Sequence, residues 1–249
     1  MMYVILFIII ILIIFLCFIN KKINKEFIKG QYLMTQMFKK FDNICRQNGI
    51  EYWCIGGTLI GTIRHRGWIP WDGDIDVGML ENDYKKFRSV IKNHIPSNWV
   101  FEHKPINKPC SKIRLLDSHY ISSEDSYHWD DDDGLQLDIF VYKNRENIIS
   151  GLFKPHAICG EGDISSRPYK DIFPLKELFF EDIRVYIPNK YKEISKNAWG
   201  DYPPPFPSLE KRVCHEGDIR CNHITKRMEK KYKGKKGIIT ENGKILFHK

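Results

Sequence analysis

The chain has 249 residues, 43 % of them hydrophobic, which is enough for one sizeable core and too few for more than one or two domains; one is expected. Its 39 Lys and Arg against 31 Asp and Glu leave a net charge of +8, spread over much of the chain with lysine runs flanking particular elements. Such a balance favours an anionic partner, and no nucleic acid is expected as that partner.

The N-terminus, MMYVILFIIIILIIFLCFIN, has no charged side chain before Lys21, and its apolar run from Tyr3 to Ile19 is just long enough to span a bilayer as a helix. A cleaved signal peptide would start basic, be shorter and end in small residues, whereas this run exits through Phe15, Leu16, Cys17, Phe18 and Ile19. It is apolar on every face, unlike a helix packed on a soluble core. The expectation is therefore a single-pass transmembrane anchor over 1–20, a globular domain over 21–210 and a basic C-terminal tail over 211–249. Lys21, Lys22, Lys25 and Lys29 follow the run, so charge alone puts the globular part on the cytoplasmic face.

Between Phe27 and Cys45, Met34, Met37, Phe38, Phe41, Ile44 and Cys45 recur at the three-and-four spacing of an amphipathic helix, ended by Asn48-Gly49. IEYWCI, from Ile50, reads as a strand. After it, GGTLIGTIRHRGWI reads as a Gly-Gly turn, a short helix with Thr58 near its start, and a basic loop. Asp74 to Met79 is a second strand, because Ile75, Val77 and Met79 alternate with Asp74, Asp76 and Gly78. A helix over ENDYKKFRSVIKNHI and strands over WVFEH and SKIRLLD follow. LQLDIFVY alternates Leu135, Leu137, Ile139 and Val141 with Gln136, Asp138 and Phe140. Farther on, a strand is expected over Ile183 to Ile187 and a helix from about Lys190, stopped by Gly200 and the prolines.

The chemistry concentrates in IPWDGDIDVGML, where Asp72, Asp74 and Asp76 stand at alternate positions. A period of two puts Asp74 and Asp76 on one strand face, where their charges repel unless a cation, a shared proton or water relieves them. A divalent metal does so, and magnesium binds through few carboxylates while keeping positions for substrate phosphates. A calcium loop does not fit: Val77 stands where its sharp turn needs Gly, and Asp83 where it needs Glu. An isolated DxDxD is as readily a solvated turn, so its company decides. Gly56, Gly57 and Thr58 lie between strand and helix start, where backbone N–H groups hold phosphate oxygens. Asp138 is a single acid in an apolar strand, suited to complete a metal site or to act as a general base. Asp130 to Asp133 read as a solvated loop.

Seven cysteines show no CxxC pair and no regular framework. Cys214, His215, Cys221 and His223 offer four soft ligands for zinc within ten residues, but the spacing matches no standard zinc template, and ordinary surface residues in a charged tail are the favoured reading.

The blocks GGTLIGTIRHRGWIPWDGDIDVGM, KIRLLD, LQLDIF and FPLKELFFEDIRVYIPNKYKEISKNAWGDY, in that order from about Tyr52 to Tyr202, resemble the LicD/fukutin-related family. That resemblance implies an α+β, nucleotidyltransferase-like fold: a mixed β-sheet flanked by helices, here preceded by the N-terminal transmembrane helix. It implies a metal-dependent transferase, using Mg2+ or Mn2+, that moves phosphocholine or an alditol phosphate from a CDP-linked donor to a glycan or glycoconjugate hydroxyl. Asp74 and Asp76 would hold the metal with Asp72 nearby, Asp138 would be the third acid, and Gly56 and Gly57 match the family turn. Gly73 replaces an acid frequent in bacterial members. Arg64, His65 and Arg66 are candidates for the donor phosphates, as are Lys112 and Arg114, with Arg114 favoured of these two because KIR belongs to the resemblance; each has a solvated basic surface as the competing reading. For anchored members the family implies a secretory-pathway lumen or cell envelope, in conflict with the charge rule. Two other readings stand beside the transferase: a nucleotidyltransferase forming a CDP-linked or nucleotidylated product, and a catalytically silent, membrane-tethered binding protein.

Overall fold

The structure, a computed structural model, describes residues 2–69, 72–103, 110–116, 118–121, 135–151, 166–199, 223–225, 234–241 and 244–249, with backbone alone at 13–27, 119–121 and 223–225 among others. Helix α1 (Met2–Gln47) contains the stripe expected from spacing: Met34, Met37, Phe38, Phe41, Ile44 and Cys45 are all buried. It ends as Asn48-Gly49 dictates. Gly49 takes φ +56°, and the Ile50 N–H returns to the Cys45 carbonyl at 2.9 Å, satisfying an orphan acceptor of the last turn.

In chain order there follow β1 (Trp53–Cys54), α2 (Gly56–Arg64), β2 (Ile75–Leu80), α3 (Glu81–His94), β3 (Trp99–His103), β4 (Ser111–Leu115), β5 (His119–Ile121) and β6 (Gln136–Arg145). Next come β7 (Ile148–Gly151), β8 (Ser166–Pro168), α4 (Tyr169–Ile172), β9 (Lys176–Phe180), β10 (Ile183–Ile187), α5 (Tyr191–Trp199), β11 (His223–Thr225), β12 (Ile238–Glu241) and β13 (Lys244–Phe247). The main sheet runs β1-β2-β6-β4-β3-β12-β13, with β7 beside β6 and β8 beside β7. Its β2–β6 and β12–β3 pairs are parallel and the others antiparallel, so the sheet is mixed as expected. One face carries Ile75, Val77, Met79, Leu137, Ile139 and Ile113, all buried; helices α1 and α3 lie on it, with Phe87 packed against Phe41 and Phe101 at ring distances of 5.5 Å. Burying each such ring contributes about 2–3 kcal/mol. The other face carries the acids. A separate β9–β10 hairpin is fastened to α1 through Phe180 on Phe38 and through Arg46, which donates to Glu177 at 2.6 Å and lies over the Tyr186 ring.

Two expectations change. The IEYWCI strand shrinks to two residues, because only Trp53 and Cys54 pair with Gly78 and Val77 before the chain turns into α2. The membrane placement is overturned: among the described residues no helix is long and apolar enough to cross a membrane. The run Tyr3 to Ile19 is not an element of its own; it continues unbroken through Lys21, Lys22 and Lys25 into the same 46-residue helix whose last turns build the core. The single-pass placement, and both orientations attached to it, fall together.

Candidate functional site

Asp76 and Asp138 stand directly opposite each other in the parallel β2–β6 ladder, which puts both side chains on the same sheet face. Asp74 joins them from the residue before β2. One carboxylate oxygen from each of Asp74, Asp76 and Asp138 lies within 4.8 Å of the other two. Asp138 is buried, Asp74 and Asp76 half-buried. Oδ2 of Asp138 accepts from Lys112 Nζ at 3.2 Å and from Cys110 Sγ at 3.4 Å, whereas its Oδ1 is buried with no hydrogen-bond partner among the described residues. A buried carboxylate oxygen left without a donor costs about 1–3 kcal/mol, so it marks a place for a cation. Three close carboxylates and an orphaned oxygen fit a divalent, oxygen-seeking ion.

The turn at Gly56 and Gly57 brings the start of α2 against these acids. A Cβ on Gly56, whose φ is +55°, would lie 2.9 Å from Asp76 Oδ2; one on Gly57 would lie 2.4 Å from Asp72 Oδ2. Gly56 therefore needs glycine on backbone grounds, while a side chain at Gly57 would have to push the Asp72 carboxylate aside. Ile55 supplies no side-chain cap, so the first turn of α2 presents backbone N–H groups where negative charge is favourable. Gly56→Ala is expected to lower the unfolding free energy by about 1–2 kcal/mol through left-handed strain. It also displaces the Asp76 carboxylate, so the Mg2+-induced rise in melting temperature should disappear with it.

Thr58 acts on the backbone. Its Oγ1 accepts the Asp76 N–H at 2.9 Å, while its carbonyl accepts from Thr62 Oγ1. Gln31 on α1 holds the preceding loop, donating through Nε2 to the carbonyls of Ile69 and Asp72. Lys112 lies beside the acids, bonded to Asp138. The Arg114 side chain is 1 % exposed and donates to Glu102 at 2.6 Å. Arg64 and His65 sit at the far end of α2, about 12 Å of axial rise from the glycine turn. Of the four zinc candidates, Cys214, His215 and Cys221 lie outside the described residues, and so does the side chain of His223; Asp130 to Asp133 lie outside them too. Cys110, Gln31 and Glu102 were not singled out from sequence. None of the three carries a local signal in the sequence, since Cys110 precedes the expected strand and the other two act through distant partners.

Burial, and then the charge of Asp74, pushes the Asp72 carboxyl well above its usual range. Burial also pushes Asp76 well up, followed by Asp74, Asp138 and Asp72, with Lys112 opposing. A carboxyl with a raised folded-state pKa binds more protons when folded. Its stability contribution is complete below the ordinary value of 3.8 and is lost as pH rises through the folded one. In EDTA, the melting temperature of Asp76→Asn should therefore pull ahead of the parent's progressively as pH rises from acid to neutral. Saturating Mg2+ should close the gap by stabilising the parent.

The sequence profile described as "LicD/FKTN/FKRP, nucleotidyltransferase domain" matches residues 49–190, which contain the glycine turn, the four aspartates, Cys110 and Lys112. An uncharacterized protein of Rickettsia prowazekii is 24 % identical over 175 residues, 68 % of this chain and 56 % of that protein. Lipopolysaccharide cholinephosphotransferase LicD of Haemophilus influenzae is 45 % identical over 60 residues, 24 % of this chain and 23 % of that one. Ribitol 5-phosphate transferase FKRP of Mus musculus is 22 % identical over 177 residues, 63 % of this chain and 30 % of that one. The chain thus spans about half or less of the length of these relatives. With the matched segment covering more than half of its length and the acids meeting on one sheet face inside it, the chain belongs to the LicD/FKTN/FKRP family.

Proposed function

We propose that this protein is a metal-dependent transferase that moves a phosphorylated small group, phosphocholine or an alditol phosphate, from a CDP-linked donor to a glycan hydroxyl, releasing CMP. The observation carrying this reading is the meeting of Asp74, Asp76 and Asp138 within 4.8 Å, beside a glycine turn at a helix start. The named relatives, a cholinephosphotransferase and ribitol-phosphate transferases, support the class of group transferred.

Phosphoryl transfer asks a protein mainly for positioning and charge neutralisation. Magnesium or manganese on Asp74, Asp76 and Asp138, with Asp72 adjacent, would neutralise the donor diphosphate. The chain's own groups do the rest. The start of α2 orients the diphosphate oxygens through backbone N–H groups, and Lys112 adds a positive charge beside Asp138. The acceptor oxygen forms a bond to the phosphorus bearing the small group, the bond from that phosphorus to the bridging oxygen breaks, and CMP leaves with the bridging oxygen. The hydroxyl proton goes to water. Asp138 suits the role of ligand better than that of base, because its Oδ2 already takes two donors.

The full chain is assayed with CDP-choline, CDP-ribitol and CDP-glycerol and glycan acceptors, with Mg2+ and with EDTA. CMP release that requires both Mg2+ and an acceptor is the expected result. Pyrophosphate release from CTP would instead favour a nucleotidyltransferase making a CDP-linked or nucleotidylated product. Neither product, from protein that melts cooperatively, would leave a binding protein.

A further inference from the structure

The family match ends at residue 190, yet β12 and β13 add two strands to the same sheet, and β12 ends in Glu241. Glu241 Oε1 accepts from His103 Nε2 at 3.0 Å and from Arg88 Nη2 at 3.4 Å. Burial, and then Arg88, lowers the His103 pKa, which keeps the ring neutral. With Nε2–H given to Glu241, Nδ1 is the acceptor, and the Tyr84 hydroxyl donates to it at 2.6 Å. The Tyr84 oxygen in turn accepts from Ser111 Oγ at 2.5 Å. Tyr84, His103 and Ser111 are all buried, so each hydroxyl or ring nitrogen in this row would be costly without the next.

Ser111 opens β4 and is paired on one side, with Ile139 of β6, while the β3 ladder on its other side reaches back only to Lys112. Cys110 lies outside the strand, so pairing does not fix it. Yet Cys110 and Lys112 both donate to Oδ2 of Asp138, on the face opposite the Ser111 side chain. The start of β4 is thus fastened from behind through Ser111 and acts in front on the metal-site carboxylate.

We propose that Tyr84, His103 and Glu241 are positioning residues for the carboxylate site: they hold the start of β4 where Cys110 and Lys112 secure Oδ2 of Asp138, leaving Oδ1 for the cation. A strand outside the family domain thereby completes the site. This rests on the metal-site reading above.

The test titrates MnCl2 into the full chain, following free Mn2+ by its paramagnetic resonance signal, with metal-free melting temperatures in parallel. Tyr84→Phe keeps the ring and loses the hydroxyl. It is expected to raise the Mn2+ dissociation constant about tenfold, the lower end of what removing outer-shell partners does. Glu241→Ala should move affinity the same way, and Glu241→Gln, which keeps an acceptor for His103, should stay near the parent. If Tyr84→Phe does not fold, the Ala and Gln variants at half-exposed Glu241 decide. Unchanged Mn2+ affinity alongside a lowered metal-free melting temperature would reduce the row to structural support and overturn the proposal. A parent protein that binds no Mn2+ would overturn the metal reading itself, and this proposal with it.

Discussion

Asp76→Asn is expected to abolish magnesium-dependent CMP release, lowering turnover by about a thousandfold or more, roughly 4 kcal/mol of transition-state stabilisation. The side chain keeps its volume and its place opposite Asp138, so the loss reports charge and not packing. The same change should raise the metal-free melting temperature. It removes one of several negative charges that the sheet face holds close together and that push Asp76 toward protonation. Lost activity with gained stability is the signature of a site held under electrostatic strain for function. Initial rates on each CDP-linked donor and thermal melts in EDTA measure the two halves. A variant that stays active with magnesium required would mean the ion sits elsewhere. One that is inactive but less stable in EDTA would mean the acids do not repel as placed.

Glu102→Ala is expected to cost about 3 kcal/mol of stability, because it takes a carboxylate acceptor from a guanidinium that is nearly inaccessible to water. Arg114→Met should cost less than this, since Met packs the space of the arginine's apolar stem. The double replacement with Met at both positions should recover much of the loss, since a buried pair is often no better than packed apolar groups. Urea unfolding measures all three. Arg114 is buried and bonded to Glu102 at 2.6 Å, so donor affinity should change little in any variant that remains folded. If Arg114 contacted the donor phosphates, Arg114→Met would weaken donor binding sharply at unchanged stability.

The helix stripe of α1, strands β2, β3, β4 and β6, and the α2 turn were legible because each has a local period or a punctuating Gly. The glycines at 56 and 57 were read as phosphate holders. The structure adds that a side chain at either would strike Asp76 or Asp72. Lys112 and Arg114 both lie on the acid face, and sequence does not tell which of two same-face cations meets a buried acid on β3. The apolar N-terminal run met the length rule for a span, but length alone does not separate a free-standing helix from the leading part of a longer one.

Amino-acid order alone determined that Asp74 and Asp76 share a face, since alternation is built into an extended backbone. It also settled the glycine turn and the apolar periods that fold helices onto one side of a sheet. Only the tertiary structure decided that Asp138, more than sixty residues later, stands beside Asp76, that Cys110 and Lys112 grip one of its oxygens, and that Glu241 reaches His103. Those facts depend on which strands pair and in what register, a choice made by the burial of the whole apolar face at once and written in no local stretch of the chain.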